Sequence, residues 1–224
     1  MLKYHLLLIG LAALFLSSCK LDEQISPNSS TPDPTLESYQ PVTKGSFWKY
    51  LVTTDTAADT STTTITGSGS TIDGEAYFTA LSKSRTTGTA TSYYHTANHK
   101  YAIRGTTIMA GLTAELYYLN DTTKIGHTWV STITSNGMVK GIPCRIVGQV
   151  VEKGLNKILG TNLFTNVIHT QLFLQYNTGS GYQSAMVYDY YIAKGVGIIK
   201  VETSVGGVVI GGSNILSYLS LIHI

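Results

Sequence analysis

Few residues in this chain have the type and spacing that chemistry needs. There are two thiols, Cys19 and Cys144. Cys19 ends an apolar run and follows Ser17 and Ser18, small residues that let a peptidase approach the backbone. Cys144 sits in Ile142-Pro143-Cys144-Arg145-Ile146-Val147, among strand formers, and reads as a small buried hydrophobe rather than a reactive thiol. His95 and His99 are four apart. On a helix they would share a face and could hold a metal ion. On a strand they lie about 13 Å apart at 3.3 Å per residue, too far for one ion unless a turn at Asn98 folds them together. His127 and His169 stand alone in sequence. There is no His-Glu-x-x-His, no Cys-x-x-Cys and no nucleophile elbow. No metal or cofactor is therefore expected. A glycosidase needs two carboxylates across a cleft. Glu75, Glu115, Asp189 and Glu202 are the candidates, scattered as acids are in any β protein of this size. A non-enzyme is the expectation, and a hydrolase of glycan or cell-wall material is the alternative.

The leader positions the first thiol. Lys3 and His5 form a small polar start, and Leu6 to Leu16 is apolar. That run is too short to span a bilayer, which takes about 20 apolar residues, but it suits a secretory signal peptide over residues 1–18. Leu16-Ser17-Ser18-Cys19 resembles the bacterial lipobox: an aliphatic residue, two small residues, then cysteine. The resemblance implies cleavage before Cys19, diacylglycerol on its sulfur and acylation of its new amine. Each buried methylene contributes about 0.8 kcal/mol, so several acyl chains hold almost permanently. Lys20-Leu21-Asp22-Glu23 resembles the acidic signal that sends Bacteroidota lipoproteins to the outer face of the outer membrane. Charges that merely keep a linker wet are the plain alternative. An outer-membrane anchor facing either the cell surface or the periplasm stays open.

Residues 19–40 read as a tether. Four of the five prolines fall between Pro27 and Pro41, and a Pro- and Ser-bearing stretch with few apolar groups cannot offset its ordering entropy. Residues 41–224 read as a single β domain. Charged residues make up 12% of the chain. Removing Lys3 with the leader leaves 14 basic residues (15 − 1) against 13 acidic ones. That near-neutral balance gives no reason to expect nucleic acid as a partner. A lipidated Cys19 leaves Cys144 without an intrachain partner, and a monomer is expected.

Thr and Tyr dominate the body, and both favour half-buried pleated surfaces. Long Ala/Leu/Glu/Lys runs are missing. The fold expected is all-β: a curved antiparallel sheet, a half-barrel or open barrel of about ten to twelve strands. Asp73-Gly74 is a hairpin signal, and Asn98 heads another candidate turn. Leu155, Ile158, Leu159, Leu163 and Val167 approach helical spacing, yet Gly160 interrupts them and Thr161-Asn162 reads as a turn. Helix and hairpin both remain open there, with the hairpin favoured. The two tryptophans, Trp48 and Trp129, each stand three residues after a glycine, Gly45 and Gly126. This hints at two similar meanders. Trp48, Trp129 and Tyr190 are candidate ligand-face aromatics; the alternative for the tryptophans is a pair of core anchors. Asp55-Thr56-Ala57 and Asp121-Thr122-Thr123 match a short Bacteroidota O-glycosylation pattern, making Thr56 and Thr122 candidate acceptors.

Four stretches together resemble a group of Bacteroidota lipoproteins of no established activity. They are Pro41-Val42-x-x-Gly45-x-x-Trp48-x-Tyr50, Ile125-Gly126-x-x-Trp129, Phe164-x-Asn166-Val167-Ile168-His169 and Tyr190 to Lys200. The resemblance implies a curved antiparallel sheet, related in shape to the half-barrel carriers LolA and LolB, and it implies no chemistry. Residues and resemblance together imply a lipid-anchored envelope protein. It would bind an apolar or amphipathic ligand on a concave face, or bind a partner protein. A purely structural surface lipoprotein is the alternative to binding.

Overall fold

The computed structural model describes residues 38–109 and 112–221. The leader, Cys19 and most of the tether lie outside the described residues. The strands are β1 (Phe47–Thr54), β2 (Ala58–Ile72), β3 (Glu75–Ser84), β4 (Gly88–Ala97), β5 (Lys100–Met109), β6 (Leu112–Asn120) and β7 (Thr128–Ser131). They continue with β8 (Met138–Val139), β9 (Ile142–Leu159), β10 (Asn162–Asn177), β11 (Tyr182–Ala193), β12 (Gly197–Val205) and β13 (Val208–Leu219). All pairings are antiparallel, in the order β6-β5-β4-β3-β2-β1-β13-β12-β11-β10-β9-β7, with β8 beside β9. Pairing of β1 with β13 joins the two meanders. The sheet curls into a nearly closed barrel with one unsealed seam, where β6 faces β7 without a ladder. The thirteenth strand exceeds the expected count because β8, Met138–Val139, is only two residues long and carries no pattern in the sequence.

Local chemistry explains the hairpins. Asp73-Gly74, Asn98-His99 and Lys140-Gly141 all hold positive φ at both positions, the backbone that two-residue hairpin turns require. Along β9, Cys144, Ile146, Gly148 and Val150 are buried and alternate with half-buried residues. The near-helical spacing over residues 155–169 has a different cause. These residues form the β9–β10 hairpin, and its register shifts between Phe164 and Val167 and again before His169. Gly154 (φ 72°) and Asn166 (φ 51°) make the irregularity possible. The bulges let Leu155, Leu159, Phe164 and Val167 all reach one core cluster although a flat strand would split them between faces.

Two clusters fill the barrel. One joins Tyr118, Leu119, Ile146, Ile168, Leu172, Tyr190 and Ile192. The other joins Trp48, Ile65, Tyr94, Val167, Ile199 and Ile215. Residues 38–46 form a strap across one end. Gly195 N–H donates to Ser38 O at 2.8 Å, and the Tyr118 hydroxyl donates to the buried Gln40 side chain at 3.1 Å.

The tyrosines make this core sensitive to alkali. Burial pushes the hydroxyls of Tyr50, Tyr94, Tyr118 and Tyr190 upward, and pushes Tyr101 up to about 12. An unfolded tyrosine titrates near pH 10. Above that value the unfolded chain binds fewer protons than the folded one, so stability falls as pH rises. It is fully present below about pH 10 and is lost on the way to the folded values. Phenolate absorbance is expected to appear together with the loss of β circular dichroism in a pH titration. Buried phenolates forming while the sheet stays intact would contradict this.

Candidate functional site: the seam and its pocket

Cross-strand rows sort residues by face. Tyr94, Ile103 and Leu116 pair across β4, β5 and β6 and pack on the core. The next row, Tyr93, Arg104 and Glu115, stands on the opposite face. The β2–β3 turn comes down onto that face, after a register shift between Ile65 and Gly69 bends the hairpin. Arg104 Nη1 donates to Asp73 Oδ2 at 2.7 Å and lies 3.7 Å from Glu115 Oε2. The Tyr77 hydroxyl donates to Glu115 Oε2 at 3.0 Å. Burial, then the Glu115 charge, pushes Tyr77 up to about 12. Arg104 is raised above its ordinary value, chiefly by the hydrogen bond to Asp73.

Beside this group a pocket of about 460 Å³ runs along the seam. Asp73, Arg104, Thr113 and Glu115 line one side and residues 130–135 the other. Three hydrogen bonds bridge the free edge of β6 in place of a ladder. Trp129 Nε1–H donates to Tyr117 O at 3.2 Å, Glu115 N–H to Ile133 O at 3.0 Å, and Thr170 Oγ1 to Tyr118 O at 2.8 Å. The Trp129 indole reaches Tyr117 by lying across β9 at Gly148, its cross-strand partner. A Cβ on Gly148 would overlap the ring. The Ser131 hydroxyl is buried here without a hydrogen-bond partner.

The expected site residues fall in unlike places. Trp48 is 1% exposed and Tyr190 7%; both are core anchors that present almost no surface to a ligand. Tyr190 stacks on Tyr118 at 5.7 Å. Trp129 is half-buried and closes the seam. Thr56 and Thr122 both lie exposed in turns, and the Thr122 hydroxyl donates to Asn120 Oδ1 at 2.8 Å. Cys144 is buried in the core, and burial raises its thiol. The turn at Asn98 does not unite the two histidines around a common partner. His95 Nδ1–H donates to Ala76 O at 3.0 Å, with Nε2 3.1 Å from Glu75. His99 instead meets Asp121 at 2.8 Å. No cluster of three metal-ligating side chains exists among the described residues.

A second polar group lies on β9–β12. His169 Nε2 meets Asp189 Oδ1 at 2.7 Å, and its ring stacks on Tyr191 at 4.4 Å. Nδ1 lies 3.5 Å from Glu152. Nε2 is hydrogen-bonded and Nδ1 is buried without a hydrogen-bond partner. Of the candidate acids, Asp189 and Glu202 are cross-strand partners, Glu75 serves His95, and Glu115 alone enters the seam pocket. Sequence reasoning missed Asp73, Arg104 and Gly148. An isolated glycine inside the strand pattern of 142–151 was the available signal for the last, since it marks close backbone approach.

Two solved structures share this fold. One is a presumed lipoprotein from Parabacteroides distasonis, with a TM-score of 0.54 at 7% identity, covering 81% of this chain and 98% of its own. The other is a presumed exported protein with a YmcC-like fold from Bacteroides fragilis, with a TM-score of 0.52 at 9% identity, covering 80% and 97%. No family model and no curated protein sequence matches the chain. The class defined is therefore one of architecture: an all-β, nearly closed barrel of the kind those two proteins adopt.

Proposed function

We propose that this chain is an exported envelope protein, held on the outer membrane through a lipidated Cys19, whose barrel is a non-catalytic binding module. The anchor rests on Leu16-Ser17-Ser18-Cys19; of the two structural neighbours one is a presumed lipoprotein and the other a presumed exported protein. The observation that carries the binding role is the seam pocket: an unladdered strand edge beside Asp73, Arg104 and Glu115. An extended segment of another chain can add along this edge by replacing the bonds that now bridge it. Threonine, serine and charged side chains prevail along the pocket, so a partner protein fits it better than an apolar ligand. The barrel's own side chains fill its interior, which argues against lipid carriage of the LolA and LolB kind.

A hydrolase is the second reading, favoured by one observation: Asp73 and Glu115 converge on the same pocket. Arg104 lies between them, 2.7 Å from Asp73 and 3.7 Å from Glu115, so the two acids are bridged by a cation rather than set across an open cleft as in a glycosidase.

The test starts from protein purified from the host envelope. Native mass spectrometry is expected to show an acylated Cys19, and Cys19→Ala is expected to move the protein from the membrane fraction to the soluble one. Crosslinking in intact cells is expected to capture a partner that Arg104→Glu loses while the β circular dichroism stays unchanged. An unaltered crosslink in Arg104→Glu would remove the seam as the binding site. Glycan hydrolysis abolished by Glu115→Gln would install the second reading.

A further inference from the structure

Both ends of the barrel expose apolar side chains, but the chain enters the barrel at only one of them. Phe47 pairs with Leu219 and Trp48 with Tyr218, so the chain enters the barrel where β13 ends. Trp48 also donates its indole N–H to Val196 O, which brings the β11–β12 turn to the same end. The Phe164 ring lies 6.0 Å from that of Tyr218, which places the β9–β10 hairpin tip beside them. This end carries large apolar side chains in the open. Ile158 is 71% exposed and Leu163 61%, and the two are cross-strand partners. Leu216, Tyr218, Leu219 and Leu221 are exposed at the close of β13.

The segments around the tip carry lysine and no acid, while Asp121 lines a pocket with Ser38, Tyr39 and Lys194 at the same end. Residues 38–47, 154–164, 193–198 and 214–221 contain Lys44, Lys157 and Lys194 and not one Asp or Glu. Lys157 lies against the Tyr191 ring, its Nζ 3.6 Å from the centroid. An apolar surface edged by lysines and a tyrosine is what the interface of an anionic bilayer accepts.

The chain outside the described residues points the same way. Only 19 steps (38 − 19) separate Ser38 from Cys19. Fully extended they reach about 65 Å at about 3.4 Å per residue, and as a flexible coil about 25 Å. A lipid on Cys19 therefore tethers the barrel to the bilayer from this end.

We propose that the β9–β10 tip and the end of β13 form a membrane-docking surface. Ile158 and Leu163 enter the headgroup boundary of an anionic bilayer, and the neighbouring lysines meet its phosphates. The docking rests on the lipid-anchor reading for its orientation, yet it can be tested without the lipid.

The test uses the mature chain, residues 19–224, carrying Cys19→Ala, with vesicles of phosphatidylcholine and phosphatidylglycerol. Cosedimentation is expected to show partition, and Ile158→Ser with Leu163→Ser is expected to weaken it at least tenfold. The control is Val208→Ser with Val209→Ser. These valines are 66% and 60% exposed but lie at the β12–β13 turn, about 35 Å along β13 from Leu219. That pair is expected to leave partition unchanged. No partition by the parent, or equal loss in both double variants, overturns the proposal. So does a concentration-dependent dimer that the Ile158 and Leu163 substitutions abolish in the absence of partition. Partition that survives while host-purified Cys19 proves unmodified refutes the anchor and leaves the docking standing. An acylated Cys19 with no effect of the tip substitutions does the reverse.

Discussion

Replacing Trp48 with alanine is expected to lower the free energy of unfolding by about 3–5 kcal/mol, the range for deleting a large buried aromatic. The side chain is among the largest fully buried ones described. Its ring lies 6.3 Å from Tyr94, and its N–H satisfies the Val196 carbonyl 148 positions along the chain. The Tyr50 hydroxyl makes a parallel link to Ile198 O at 2.7 Å. Together these two side chains tie β1 to the start of β12, across the intervening β13. Alanine would leave a hole inside the barrel and take the donor away from a buried carbonyl. Phenylalanine keeps most of the packing but not the donor, so Trp48→Phe is expected to cost about 1–3 kcal/mol. Guanidinium unfolding at neutral pH measures both. A loss below about 1 kcal/mol for Trp48→Ala would mean the strands close over the gap, and the residue would no longer count as an anchor.

How much of this was legible in the chain depends on the range of the interactions involved. The all-β class was legible, because Thr and Tyr enrichment and the Asp73-Gly74 turn act locally. So was the hairpin at residues 155–169: Gly160 breaks any helix, and the misleading spacing of Leu155, Leu159 and Val167 comes from bulges that shift faces. The unlike fates of Trp48 and Trp129 were not legible. Both follow a glycine by three residues, but one enters a fully paired strand and the other an edge strand of four residues. That difference is set by which strands pair, not by the local sequence. The pocket was hidden for the same reason. Asp73 and Arg104 lie 31 positions apart, and Tyr77 and Glu115 lie 38 apart. No spacing rule links them, because the bend of the β2–β3 hairpin brings them together. The short β8 escaped notice since two residues carry no period.

Gly148 offers the strongest test of how the seam is held. Gly148→Ala places a methyl group where the Trp129 indole lies, and the ring must leave or β9 must shift. The expected cost is about 1–3 kcal/mol, as for other overpacked sites. Displacement also breaks the Trp129 bond to Tyr117 O, one of the three that stand in for a ladder. Amide exchange in β6 is then expected to quicken, with the Glu115 N–H prominent. The cause can be isolated in a Trp129→Ala background. Without the indole the added methyl meets no obstacle from it, and alanine loses less conformational freedom on folding than glycine. Gly148→Ala is expected to be neutral or slightly stabilising there, so the two sites should couple by about 1–3 kcal/mol. Equal costs in both backgrounds would show that Gly148 answers to the β9 backbone instead, and that the indole does not keep the seam shut.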